Sequence, residues 1–379
     1  MILGTQNAFR RSMVTIVLLT YRNPEHLKRA LSFYKKMIPQ AKVVVVDSNK
    51  EEDKKYTRSF VQAISDTSYS PVHLEFDPST SFAQKVAGCL DALTTPYTLI
   101  AGDDDFFSPH AITEAATFLK NHPDYSFFYG YQYGFSFQGG MVDWFCSGYY
   151  ENPRSFEQNN PLERLNSFLT SNIGLFYMVL RTDKFRECVM SSYRYAPCLV
   201  FFDNMFGMQA LIRGKGHFSA EPFYFKEMSD LATSVTYNVT WLLGKDFEKH
   251  KRMLEQGLAE SFRESVGLSE ADAMREAVRA SNAFIDGVFE SFCLEPRELP
   301  FLARQKMRIK ALAPQFVKKA IVEFMSTVRN RKIDAGQHYL FDETSPYSLE
   351  FKEITKAIKG SHVEATRGGF EDTWRLIRC

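Results

Sequence analysis

Short, unbroken apolar runs alternate with segments of helical spacing through the first part of this 379-residue chain. Val14-Thr15-Ile16-Val17-Leu18-Leu19 has no polar face, which is the pattern of a strand buried on both sides in a parallel sheet. Asn23-Pro24 then marks a turn and a helix start, and Leu27, Ala30, Leu31 and Tyr34 follow at helical spacing. Pro39 closes that helix, and Lys42 to Asp47 is a second apolar run ending in a carboxylate. The unit is βαβ. Its parallel crossover brings the carboxyl ends of the strands, with Thr20, Tyr21, Asp47 and Ser48, to the edge where open α/β sheets bind ligands.

The alternation continues. Val72 to Phe76 predicts a third strand, and Ser81 to Leu93 a helix with Phe82, Val86, Cys89, Leu90 and Leu93 on one face and Lys85 in its first turns. Tyr97 to Ala101 predicts a strand running straight into Gly102-Asp103-Asp104-Asp105-Phe106. Ser108 is the expected N-cap and Pro109 the first helical residue before a helix over Ala111 to Asn121. Phe127 to Phe137 predicts a strand, Leu162 to Phe168 a helix and Leu175 to Arg181 an extended segment. From Lys245 to Ala283 charge-rich amphipathic helices are expected. The expected organisation is a leader over residues 1–13, an α/β domain over 14–243, and a mainly helical region over 244–379, with the boundary near Leu243-Gly244 where the alternation stops.

Composition narrows the function. Apolar residues make up 45% and charged residues 24%, so a folded chain is expected throughout. A formal net charge of +1 leaves no global field to attract nucleic acid. Six scattered cysteines without a C-x-x-C pair argue for reduced thiols in a soluble, cytoplasmic protein and against structural zinc. No signal peptide and no apolar run long enough to span a membrane is visible.

Three consecutive carboxylates repel one another and need positive charge among them. Mg²⁺ or Mn²⁺ would supply it, since hard cations take one or two carboxylates together with substrate phosphates. In an extended segment Asp103 and Asp105 would face one side and hold the metal while Asp104 points away. The bland alternative is an acidic loop that meets a lysine or helps to start the Ser108 helix. Position at a strand end in a βαβ frame favours the metal and diphosphate reading.

On the pieces V-T-I-V-L-L-T-Y-R, V-V-V-V-D-S and T-P-Y-T-L-I-A-G-D-D-D-F, with Phe-Ala-Gln-Lys before the last, the chain resembles the GT-A, family-2-like bacterial glycosyltransferases. The resemblance covers about residues 14–230 and is greatest to a subset with the D-D-D-F motif associated with cell-surface polysaccharides. It implies a Rossmann-like, mainly parallel sheet flanked by helices and a metal-dependent, inverting transfer of sugar from a nucleotide-sugar donor. It also implies that Thr20 and Tyr21 line the nucleotide pocket, with Arg22 beside them, and that Asp47 accepts from the base or ribose. Lys85 would approach the diphosphate, and Asp103, Asp104 and Asp105 would hold nucleotide and metal. Two departures stand out: Asp47-Ser48-Asn49 where many relatives carry two adjacent acids, and Thr-Tyr-Arg-Asn where Thr-Tyr-Asn-Arg is commoner.

The family's catalytic base lies downstream of the metal motif, and Asp203, after the apolar run Leu199 to Phe202, is its best match here. Asp203 serves equally as an N-cap for a helix over Met205 to Ile212. Glu221 and Glu227 are fallback bases, and His217 is a further metal or diphosphate ligand if it is more than structural. Trp144, Tyr149 and Tyr150 could stack on an acceptor sugar or pack a loop; Tyr129, Tyr131 and Tyr133 read as core. From Arg304 to Lys332 nine basic residues stand against Glu323 alone, a segment suited either to peripheral contact with an anionic membrane or to packing with a solvated basic face. The acceptor would be a surface polysaccharide or lipid-linked glycan. Two other classes stay open: a nucleotidyltransferase, which lacks support from a Gly-rich phosphate loop, and a non-catalytic sugar-nucleotide-binding or scaffold protein.

Overall fold

A computed structural model describes residues 12–21, 23–138, 141–146, 153–171, 174–196, 198–227, 246–293 and 347–360. In chain order the elements are β1 (Val14–Thr20), α1 (Pro24–Met37), β2 (Lys42–Asp47), α2 (Glu51–Ile64), β3 (Val72–Glu75), α3 (Phe82–Gly88), β4 (Tyr97–Gly102), β5 (Phe106–Phe107) and α4 (Pro109–Asn121). They continue as β6 (Tyr125–Gln138), β7 (Met141–Cys146), α5 (Pro161–Leu169), β8 (Val179–Arg181), α6 (Thr182–Tyr195), α7 (Leu199–Arg213) and β9 (Lys215–Glu227). Three helices complete the described chain: α8 (Phe247–Val266), α9 (Glu270–Cys293) and α10 (Ser348–Gly360).

Among the described residues nine strands form one sheet in the order β3-β2-β1-β4-β8-β6-β9-β5, with β7 paired to β6 beside this path. The first four are parallel. β8 runs antiparallel to β4 and β6, β6 is parallel to β9, and β5 pairs antiparallel with β9. The α/β architecture with helices on the sheet and a helical C-terminal part is therefore present as expected. Val14 to Leu18 and Val43 to Val46 are fully covered, as their unbroken apolar pattern requires. In α1 the predicted face, Leu27, Ala30, Leu31 and Tyr34, is buried. Ser108 caps α4 by accepting from the Ala111 amide at 3.1 Å, with Pro109 in the first turn.

Several elements depart from expectation for identifiable reasons. α2 was hidden by its charge, since only Val61 and Ile64 are large apolar residues among those it buries. The helix after Ser81 stops at Gly88, and Leu90–Ala92 tightens into a 3₁₀ turn. The extended segment before α6 is a regular strand only over Val179–Arg181. Leu199 to Phe202, an apolar run with no polar stripe, is the start of α7, which α5, α6 and α8 cover. α8 approaches closely enough that a Cβ on Gly257 would lie 2.4 Å from Met205 Cε and 2.7 Å from Tyr195 Cβ. α9 packs on α8 and α5, and α10 packs on α1 and β7. The expected boundary at Leu243-Gly244 and the basic stretch 304–332 lie outside the described residues. No described helix is long and apolar enough to cross a membrane.

Candidate functional site

Backbone register builds the first half of the site. β1 pairs with β2 so that Thr20 stands opposite Asp47, and with β4 so that Leu19 stands opposite Gly102. Thr20, Asp47 and Asp103 are thereby neighbours along the carboxyl edge of three parallel strands, and Thr20 Oγ1 donates to Asp103 Oδ2 at 2.6 Å. Asn49 Nδ2 reaches the same Thr20 oxygen at 3.4 Å. Asp47 is fully buried; it accepts from the Asn49 amide at 2.8 Å and is 3.0 Å from His73 Nε2. Burial alone would raise its pKa, but the His73 and Asn49 bonds hold the carboxyl below its usual range. Lys85, from α3, donates to Ser48 Oγ at 2.7 Å and lies 5.5 Å from the Tyr21 ring centre. Burial lowers the Lys85 pKa while the charges of Asp47 and Asp103 oppose that shift.

The three aspartates do not continue the strand. Gly102 to Asp105 is a turn, with the Asp105 amide 3.4 Å from the Gly102 carbonyl, so the extended geometry that was expected to send Asp104 to the opposite side does not form. An added Cβ on Gly102 would lie 2.6 Å from Asp104 Oδ1 and 3.0 Å from Asp105 Oδ2. The glycine thus leaves room for two carboxylates folded back over it. Asp105 is held by the end of β9: the Tyr224 hydroxyl donates to Oδ2 and the Glu227 amide to Oδ1 at 3.0 Å. This follows from the β5–β9 pairing, which sets Phe106 opposite Phe225. Arg29 of α1 donates through one nitrogen to the Asp104 carbonyl at 2.9 Å and to Glu227 Oε2 at 2.6 Å, with its guanidinium 5.2 Å from the Phe106 ring centre. Burial, then the Asp104 charge, pushes Asp103 and Asp105 well above the ordinary carboxylate range. Burial and Glu227 raise Asp104.

Asp203 comes from a helix, not from the strand ends. It is the fifth residue of α7, whose N-cap is Cys198, so Asp203 is not a cap. Tyr177 lies between it and the aspartate turn: the ring stacks on Tyr224 at 4.1 Å, and Tyr177 feels the charges of Asp105, Asp104 and Asp203. Burial raises Asp203 to about 6, with Lys226 opposing the shift.

The structure therefore brings Thr20, Tyr21, Asp47, Lys85 and Asp103 to Asp105 to one sheet edge, with Asp203 across Tyr177. Arg22, Tyr149 and Tyr150 lie outside the described residues, and Trp144 is described only as part of β7. Glu227 belongs to the site through Arg29 and Asp105. Glu221 does not: it neighbours Glu114 and Tyr347. His217 stacks on Phe118 at 4.0 Å beside Phe128, some 30 Å up the strand from Glu227 at the usual rise per residue, which removes it as a ligand of the aspartates. Sequence reading missed Arg29, His73, Asn49, Tyr177, Tyr224 and Lys226. The alternation Tyr224, Lys226 against Phe225, Glu227 was a usable strand signal; the long-range partners were not.

No family model matches the chain, and no curated protein matches it. By structure it is similar to Staphylococcus aureus TarS 1–349 in complex with UDP-GlcNAc, with a TM-score of 0.51 at 13% identity over 96% of this chain and 91% of that one. A second structure of TarS 1–349 gives 0.48 at 13% identity over the same shares, 96% and 91%. The mannosyltransferase PcManGT from Pyrobaculum calidifontis, in complex with GDP-Man and Mn²⁺, gives 0.41 at 10% identity over 93% and 86%. The first of these shows a shared fold.

Proposed function

We propose that the chain is a metal-dependent, inverting glycosyltransferase of the GT-A type that moves a sugar from a nucleotide donor to a surface-polysaccharide or lipid-linked acceptor. The reading rests on the 2.6 Å contact between Thr20 and Asp103, which brings the first loop and the aspartate turn to one point on the sheet edge. The shared fold with a protein solved with UDP-GlcNAc agrees with it.

In this reading Thr20, Tyr21 and Asp47 receive the nucleoside, and Lys85 receives the diphosphate as a point charge. Asp103 and Asp105 would hold the metal, with Asp104 assisting. The surplus of buried negative charge in the turn fits a hard cation that also takes diphosphate oxygens. The Tyr224 and Glu227 bonds to Asp105 would act as outer donors that orient a ligating carboxylate. When bound, Mg²⁺ or Mn²⁺ neutralises charge developing on the diphosphate. Asp203 takes the proton of the acceptor hydroxyl as that oxygen attacks the anomeric carbon. Residues 14–243 would form the catalytic unit and 244–379 its helical partner, with 304–332 touching anionic lipid.

The test is a panel of UDP-, GDP-, CMP- and TDP-sugars with Mn²⁺, read by thermal stabilisation and released nucleotide. Asp105→Ala is expected to abolish Mn²⁺-dependent donor binding, and unchanged affinity in calorimetry would remove the metal assignment. Stabilisation without turnover in the presence of acceptor would mark a binding protein. Pyrophosphate released from a nucleoside triphosphate would mark a nucleotidyltransferase.

A further inference from the structure

Lys226 is the penultimate residue of β9. Strand periodicity places it on the same face as Tyr224 and opposite Phe225 and Glu227. The two faces have different business: Glu227 turns to Arg29, whereas Tyr224 touches Asp105 and stacks on Tyr177 toward α7. Lys226 thus stands between the aspartate turn and Asp203. Its charge acts on Asp104 and Asp105 on one side and on Asp203 on the other.

The neighbouring cations are engaged. Arg29 serves the Asp104 carbonyl and Glu227, and Lys85 serves Ser48. The near carboxylates also have partners, Thr20 for Asp103 and Tyr224 with the Glu227 amide for Asp105. Among the described residues Lys226 donates no hydrogen bond and closes no ion pair, although it is only half-exposed. A partly buried lysine whose three donors meet no acceptor among the described residues, set between a diphosphate end and an acceptor end, is arranged to meet an anionic ligand.

We propose that Lys226 is a catalytic residue that binds the distal phosphate of the nucleotide-sugar donor from the β9 side and stabilises the departing nucleoside diphosphate. The proposal rests on the glycosyltransferase reading above. In the step it serves, the bond from the anomeric carbon to the distal phosphate oxygen breaks and its electron pair stays on that oxygen. The acceptor oxygen bonds the anomeric carbon, and its proton passes to Asp203. Lys226 donates to the phosphate oxygens that gain charge, where a fixed cation contributes more than water would.

The experiment is calorimetry of the full chain with Mn²⁺ and UDP, GDP, UMP or GMP, on wild type, Lys226→Ala and Lys226→Arg, with melting temperatures to verify folding. Loss of a charge-assisted contact predicts that Lys226→Ala binds the diphosphate about 10- to 100-fold more weakly. Monophosphate affinity is expected to stay at the wild-type level, and Lys226→Arg to recover most of the diphosphate affinity. Equal diphosphate affinity in wild type and Lys226→Ala overturns the assignment, as does an equal loss for mono- and diphosphate. Wild type that binds neither UDP nor GDP instead overturns the reading on which the assignment rests.

Discussion

On the β1, β2 and β4 side of the site, strand register alone sets Thr20 beside Asp47 and next to Asp103. On the β9 side, bonds between elements far apart in sequence do the placing: Tyr224 and the Glu227 amide on Asp105, and Arg29 on Glu227 and the Asp104 carbonyl. The first side is held by many ladder hydrogen bonds shared over three strands. The second depends on a few buried polar contacts, each expensive to leave half-made. Substitution on the first side should remove ligand groups and leave the frame intact, while substitution on the second should disturb stability and geometry together.

The largest effect is expected at Asp203. Asp203→Asn keeps the shape and removes the proposed base, so kcat should fall by about 10²- to 10⁴-fold with little change in stability. The pH profile sharpens this. Burial raises the Asp203 pKa to about 6, and a base must be deprotonated to act, so kcat should rise with pH and level off above about 6. Lys226 lowers that value, so Lys226→Ala should move the acid limb upward. A limb that stays put in Lys226→Ala would separate the two residues, and a fully active Asp203→Asn would transfer the role of base elsewhere.

Arg29 tests the fragile side directly. Its side chain is 3% exposed and its Glu227 partner 18%. Removing one member of a buried pair leaves the other charge uncompensated, so Arg29→Met should cost about 3–5 kcal/mol of stability in urea unfolding. Thr20→Val, on the register side, removes the bond to Asp103 and the longer one from Asn49 and should cost about 1–2 kcal/mol. Equal costs would erase the distinction between the two halves.

The same contrast explains what could be read from the residues. β1, β2 and β4 announce themselves as unbroken apolar runs, and their polar ends, Thr20, Asp47 and the aspartates, mark the sheet edge without any tertiary information. β9 carries Pro222, and its pairing with β6 shifts register between Gly130 and Tyr131 and again between Tyr131 and Gln132, so simple alternation is lost where it was needed. The helix that carries Asp203 was expected to start at Met205 with Asp203 as its cap, but α7 begins at Leu199, a start hidden because the helix is covered on several faces and shows no polar stripe. The turn at Gly102 was misjudged for a related reason. Extended geometry follows from a strand pattern, and the pattern does not show that Tyr224 and Glu227 will take Asp105.

The smallest effect is expected at Glu350, which joins α10 to the start of α4, three residues beyond Asp105. Its carboxyl accepts from Ser108 Oγ at 2.5 Å and from the His110 amide at 2.6 Å, while burial pushes its pKa from 4.5 to about 7 despite both bonds. Burial of the charge and attraction to a helix N-terminus therefore oppose each other, and near pH 7 Glu350→Gln should change stability by less than about 1 kcal/mol. The sign of the pH dependence is the sharper readout. A carboxyl raised on folding binds its proton more tightly in the native state, so wild type should lose stability relative to Glu350→Gln as pH rises from 4.5 through 7. Thermal melts of both proteins across that window measure it, and donor affinity should match between them. A relative gain with rising pH would mean that the α4 N-terminus outweighs burial, and weakened donor binding in the variant would extend the fragile side of the site to the C-terminal helix.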